Sequence, residues 1–360
     1  MDSNLTLFIK MIAASLQLTE KQIRNAIQLL NEGATIPFIS RYRKEMTDAM
    51  DEVQLAEAKE QYEKLCELEK RKHTVLNAID EQGKLSDALK LRIENCWNAT
   101  ELEDIYLPYK VKRRTKAEIA REKGLEPLAK MIMAQNSNDL QGMAQPFVKN
   151  KVESVEDALN GAKDIMAEWI NESENARNAV RKIFSYEAVI SSKIIKGKEE
   201  EAQKYRDYFD MNEKLSRCSS HRLLAMRRAE ADGLLRVNIS PNDDNCIEKL
   251  ERIFVKSNNA SSDFVYEVVK HAYKRLLKPS IETEFAAASK EKADTEAIRV
   301  FAENLKQLLL APSLGQQRTL GIDPGYRTGC KVVCLDAQGN LVHNETIYPH
   351  PPQNEQMQAM

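Results

Sequence analysis

Glycine, aromatic side chains and long apolar runs are what this 360-residue sequence has least of: 12 glycines and 6% aromatics. What remains is dominated by Leu, Ala, Glu, Lys and Gln, a balance that favours helices. At 42% hydrophobic and 30% charged the chain is a soluble globular protein rather than a disordered one, long enough for two or three cores. No stretch approaches the roughly 20 apolar residues of a membrane-spanning helix. The N-terminal Met1-Asp-Ser-Asn-Leu5 lacks the basic-then-apolar pattern of an export signal. Six cysteines, at 66, 96, 218, 246, 330 and 334, form no C-x-x-C pair and no Cys/His cluster at zinc spacing. A structural metal or a cofactor is therefore not expected, and Cys330 and Cys334 read as buried free thiols. A reduced, cytoplasmic setting follows. An excess of one charge is missing too, with 53 basic residues against 55 acidic. Any polyanion-binding surface must come from local segregation of charge.

Helical signals run along most of the chain. Thr19 and Gln22 make a capping box before the stripe Ile23, Ala26, Ile27 and Leu30, which Gly33 ends. Thr35-Ile-Pro-Phe-Ile-Ser-Arg-Tyr-Arg-Lys44 begins a second helix with Pro37 in its first turn, and the pair is compatible with helix-turn-helix geometry. Apolar spacing predicts a long helix from Asp51 to Gln82, closed by Gly83, with Ser86 capping the next. Thr100 with Glu103 and Thr115 with Glu118 predict two more capping boxes, the second helix ending at Gly124. Further helices are expected over 155–172, 174–194, 199–207, 221–232, 262–277 and 295–310, with Gly233–Pro241 the one strand-like piece among them. Pro312–Gln317 reads as a linker, after which the period changes from helix to strand.

Beyond that linker Leu320 and Ile322 alternate with small or polar neighbours, as a short buried strand would. Asp323 ends it before a Pro324-Gly325 turn, and two more strand-like runs follow, Cys330–Leu335 and Leu341–Tyr348. An aspartate so placed is how RNase H-like domains open. A nuclease of that fold gathers several carboxylates around two divalent ions. Asp323 supplies only one, and nothing in the spacing of Asp336 or Glu345 brings them to it. Acceptance of turn N–H groups is the competing role for Asp323, and local sequence favours it. The fold needs more sheet and helix than the residues up to Met360 hold, so this last region is expected to be incomplete.

The strongest local charge lies between Pro108 and Lys123, where seven Lys/Arg face two Glu. Lys110, Lys112, Arg113, Arg114 and Lys116 are the candidates for phosphate contact, which makes affinity fall steeply with salt. The alternative is a solvated loop paired with Glu101, Glu103 and Asp104. Arg41, Arg43 and Lys44, on the second helix of the first pair, are secondary candidates; packing or protein contact is favoured there over base reading. His221, Arg222, Arg227 and Arg228 are accounted for by hydrogen bonding and the helix dipole. No Ser/His/Asp or Cys/His catalytic arrangement is legible.

Together these segments resemble the bacterial Tex proteins, transcription accessory factors related to a eukaryotic elongation factor. The resemblance rests on Ala34–Glu45, Leu102–Lys110, Lys112–Leu128, Lys204–Phe209, Ser220–Met226, Phe301–Pro312 and Leu320–Lys331, in order along the chain. It implies a mostly α chain: a helical N-terminal domain over 1–180, a central helical region with helix-turn-helix character over 181–312, and the start of a YqgF-type RNase H-like α/β domain over 318–360. In the family a helix-hairpin-helix region and an OB-fold RNA-binding domain come next, and neither is in this sequence. The resemblance further implies a non-catalytic, nucleic-acid-binding scaffold acting chiefly on RNA in support of transcription. Its partners would be RNA or DNA, with RNA polymerase or the ribosome beside them. A metal-dependent nuclease using Asp323 and a purely protein-binding scaffold are the alternatives. One departure is Thr47-Asp-Ala-Met-Asp-Glu52, where the family commonly has Gly after the Thr.

Overall fold

Side-chain caps decide where most of the helices begin. The computed structural model describes residues 3–111, 114–149, 151–313, 315–325, 329–351 and 353–359, without the side chains of Ser3 and Gln358. Its backbone packs into two units, Met1–Lys290 and Glu291–Met360. In the first, α1 spans Ser3–Leu16 and α2 spans Glu20–Asn31, opened by the Thr19–Gln22 capping box. Thr35 caps α3 (Ile36–Tyr42), with Pro37 in its first turn. Arg43, at φ −133° and ψ 29°, breaks the helix before the short α4 (Lys44–Thr47). Arg43 and Lys44 therefore lie beyond the second helix, not on it. Asp48 and Ala49 follow with φ of 50° and 59°. A left-handed backbone costs an L-residue about 1–2 kcal/mol, which accounts for the glycine preferred in this loop by the family pattern.

Helix α5 (Glu52–Asp80) is opened by an Asp51–Gln54 capping box and is long enough to close two cores. Its first half packs Leu55 and Ala58 with Ile12, Ile23, Ile27 and Ile39. Its second half packs Leu68, Val75 and Ile79 with Ile93, Leu102 and Ile105. Ser86 caps α6 (Asp87–Glu94) as expected. The cap of α7 (Ala99–Tyr106) is Asn98, whose Oδ1 accepts the Glu101 N–H at 3.1 Å. Thr100 already lies inside that first turn, so the predicted Thr100–Glu103 box does not form. Thr115 caps α8 (Lys116–Glu122), and Gly124 ends it at φ 79°. Then come α9 (Glu126–Met133), α10 (Leu140–Ala144), α11 (Val155–Glu172) and α12 (Glu174–Glu187).

The helix expected over 174–194 stops at Glu187, and Val189–Ile194 is a strand, β1, with Ile190 and Ser192 buried on one face. Antiparallel β2 (Asp210–Lys214) and β3 (Leu235–Ser240) flank it, placing Ile190 between Glu213 and Ile239. The strand-like piece at 233–241 is thus one of three. In place of a helix over 199–207 there are turns and a 3-10 helix, Gln203–Tyr208, whose Tyr205 packs with Ala202, Ala229 and Leu234. Helices α13 (Ser220–Ala231), α14 (Asp243–Phe254) and α15 (Ala260–Ala272) follow. A π-helical turn, Tyr273–Leu277, joins α15 to α16 (Lys278–Leu310), so the helix expected from 295 starts earlier.

The second unit holds an antiparallel meander, β4 (Thr319–Asp323), β5 (Cys330–Leu335) and β6 (Leu341–Ile347), followed by α17 (Gln356–Ala359). The expected buried strand is formed but not buried: Leu320 and Ile322 are 62% and 58% exposed. Their face of the sheet carries no covering layer among the described residues. The chain is mostly α, as its composition requires. No helix among the described residues is long and apolar enough to cross a membrane.

Candidate nucleic-acid interface

Small residues let α8 settle against α11, and this fixes where the basic segment emerges. Ala117 and Ala120 of α8 are buried. At Gly161 of α11 a Cβ would lie 2.3 Å from Leu125 Cδ1 and 3.3 Å from Ala120 Cβ, so a larger residue there would force Leu125 to move. Lys116 is the first residue of α8, and the exposed Arg114 lies just before its Thr115 cap. Upstream, Gln82 Nε2 donates to the Tyr109 carbonyl at 2.7 Å and anchors the start of the segment to the end of α5. Lys110, Arg114 and Lys116 are exposed and make no ion pair among the described residues. Lys112 and Arg113 lie outside the described residues.

The acids expected to neutralise this segment are largely engaged elsewhere. Glu103 holds Arg71 through two hydrogen bonds, of 2.6 and 3.0 Å. Asp104 is buried and accepts from Arg177 Nε at 2.6 Å and Arg181 Nη2 at 2.9 Å. Arg181 also donates to Glu284 at 2.8 Å, and Arg177 donates to Ser280 Oγ at 3.2 Å. Downstream, Arg121 pairs with Glu168 at 2.5 Å and Lys123 with Asp157 at 2.9 Å. The surplus positive charge among the described residues therefore sits on Lys110, Arg114 and Lys116.

The secondary candidates form a different surface. Arg41 Nη2 is 3.6 Å from Glu52 Oε1, with both side chains exposed. The Arg43 guanidinium lies 5.4 Å over the Phe38 ring, and that ring is 5.5 Å from Tyr42. Phe38 and Tyr42 are exposed, and their i, i+4 spacing is the one sequence sign that an aromatic pair would stand beside these cations. Lys44 is exposed at the start of α4. Around His221 the arginines serve structure: Arg222 meets Glu213 at 3.1 Å, and Arg227 meets Glu230 at 2.6 Å.

Strand register separates the carboxylates of the last sheet. Asp323 faces Lys331, which faces Thr346, so those three residues share one face. Glu345 faces Val332, which faces Ile322, and so lies on the opposite face. Asp336 closes the turn at the far end of β5, accepting the Gln338 and Asn340 N–H groups at 2.9 and 2.8 Å. Among the described residues no three His, Cys, Asp or Glu gather as metal ligands. All six cysteines are free, and burial pushes the thiols of Cys218 and Cys246 up to about 11, so both stay protonated at neutral pH.

Three domain models match the chain in order. They are a Tex-like protein N-terminal domain at residues 6–80, a Tex central region-like domain at 135–301 and a Tex protein YqgF-like domain at 317–360. The transcriptional accessory protein Tex of Neisseria gonorrhoeae is 41% identical over 351 residues, 96% of this chain and 46% of that protein. Protein tex of Bordetella pertussis is 37% identical over 365 residues, again 96% of this chain and 46% of its own length. The human S1 RNA-binding domain-containing protein 1 is 30% identical over 343 residues, 91% of this chain and 34% of that protein. The chain thus spans about half the length of the bacterial relatives it matches. With all three Tex domains matched and about 40% identity along nearly its whole length, the chain belongs to the Tex family of transcription accessory proteins.

Proposed function

We propose that this chain binds nucleic acid, chiefly RNA, as a non-catalytic accessory to transcription, and that Lys110–Lys116 is its main phosphate-contacting segment. The observation that carries the reading is the surplus of cations there: Lys110, Arg114 and Lys116 are exposed and make no ion pair among the described residues, while Glu103 and Asp104 are held by other arginines. Three exposed cations on a loop that leads into a helix suit a phosphate backbone, which asks for charge and reach rather than a shaped pocket. Arg41, Arg43 and Lys44, with Phe38 and Tyr42 beside them, form a second contact surface in this reading, where bases could stack on the rings. That a relative is named for an S1 RNA-binding domain agrees with the ligand class.

The test is fluorescence anisotropy with a labelled single-stranded RNA, read over a range of salt. Replacing two phosphate contacts in Lys110→Glu/Arg114→Glu should weaken binding and make the slope of log affinity against log salt shallower by about 1.4. If affinity and slope both stay as in the parent chain, the segment is not the contact surface. If the parent chain itself binds no RNA, a protein-binding scaffold becomes the better reading.

A further inference from the structure

A second concentration of positive charge joins the basic stretch Lys270–Arg275 to Lys163, which lies about a hundred residues earlier in the sequence. Helices α11 and α15 pack side by side, and the π-helical turn after α15 continues the same wall. Between them opens a wide-mouthed cavity of about 530 Å³ lined by Lys163, Glu267, Lys270, His271, Lys274 and Arg275. On the π-helical segment Lys274 and Arg275 fall one turn beyond Lys270 and His271, so cations stack in two neighbouring rows. π-Helical turns are uncommon and recur at functional sites.

The pairing within this basin is incomplete. Arg275 donates to Asp164 at 2.9 Å, and Lys270 pairs with Glu267 at 2.9 Å while lying 4.0 Å over the Tyr266 ring. Lys163 and Lys274 have no ion-pair partner among the described residues. Two acids, Asp164 and Glu267, thus face four full cations. The buried Nε2 of His271 has no hydrogen-bond partner among the described residues and stays 3.8 Å from Asp164 Oδ1. Burial first, then the charges of Lys163 and Arg275, with Lys116 contributing, push the His271 pKa down against the pull of Asp164. Lys116 opens α8, and α8 packs on α11, the helix that carries Lys163.

We infer that this basin is a second phosphate-backbone subsite for nucleic acid, with Lys163 and Lys274, which have no ion-pair partner among the described residues, as its contact cations. An extended strand crossing Lys110–Lys116 would run over α8 and place a later phosphate in the basin. The inference rests on the proposal that the chain binds nucleic acid. An acidic protein segment would offer carboxylates instead, but single carboxylates do not call for a continuous path from Lys110 to Lys274, whereas a phosphate backbone does.

The experiment uses the full chain, one labelled single-stranded RNA and the salt series already described, with poly-glutamate as a competing probe. Lys163→Gln/Lys274→Gln should make the salt slope shallower by about 1.4. Lys163→Arg/Lys274→Arg, which keeps both charges, should restore affinity and slope and so separates charge from folding. If the Gln pair leaves RNA binding unchanged while Lys110→Glu/Arg114→Glu weakens it, the basin is not a subsite and the proposed function stands. If the Gln pair weakens only poly-glutamate binding, the basin belongs to an acidic protein and the inference falls. If the parent chain binds no RNA, inference and proposed function fall together. Loss in the Gln pair with rescue in the Arg pair supports the subsite.

Discussion

Asp104 shows how much one side chain settles. It is 4% exposed and bridges Arg177 and Arg181, residues that lie more than seventy positions further along the chain. Removing one member of a buried charge cluster leaves the others desolvated and unpaired, at about 3–5 kcal/mol. Asp104→Asn should therefore lower unfolding stability in urea by roughly that amount. Glu101→Gln, at an exposed neighbour, should change it by less than about 0.5 kcal/mol. Equal small effects would show that Asp104 is no keystone. The segregation of charge between Pro108 and Lys123 was legible in sequence, because it is contiguous. Which acids oppose it was not, since Arg71, Arg177 and Arg181 are brought to Glu103 and Asp104 only by folding. For the same reason Lys163 escaped notice: it lies about a hundred positions before Lys270–Arg275 and is brought beside those cations only by folding.

At the scale of single elements, caps were the most readable feature. Thr19, Thr35, Ser86 and Thr115 each sit where a short oxygen meets a free N–H of the first turn. Asn98 shows the limit of pattern. Thr100 and Glu103 have capping-box spacing, yet Asn98 reaches the Glu101 N–H first and the helix starts two residues sooner. Asn98→Ala should cost about 1 kcal/mol of stability in a denaturant titration, and Thr100→Ala close to nothing. The reverse order would return the cap to Thr100. Strands in the first unit were harder to see. Asp210–Lys214 has no β-branched or aromatic residue, so its extended state comes from pairing with β1 rather than from propensity. Val189–Ile194 follows a helix with one residue between, which let helical spacing run on through it.

For the molecule as a whole, the two units differ in how well they bury their sheets. Ile190 and Ile239 of the first sheet are 0% and 2% exposed, whereas Leu320, Ile322, Leu341 and Val342 of the second are all more than half exposed. Local opening costs less where fewer apolar contacts are lost. Hydrogen exchange read by mass spectrometry should thus find the amides of β5 exchanging far faster than those of β1, though both are central strands. Equal protection of the two would contradict this. The strand-rich stretch at the end was legible because the hydrophobic period changes plainly after Pro312, whereas the strands β1 and β2 within the helical region were not.

The register of that last sheet also limits which acids can share a side. Asp323 and Glu345 differ in parity, since side chains alternate along a strand, and no rotamer change can bring them to one side. Within this sheet, an acid on the side of Asp323 could stand at Thr346, or a one-residue length change could re-phase β6 and bring Glu345 round to that side. Without such a change Glu345 stays on the face opposite Asp323.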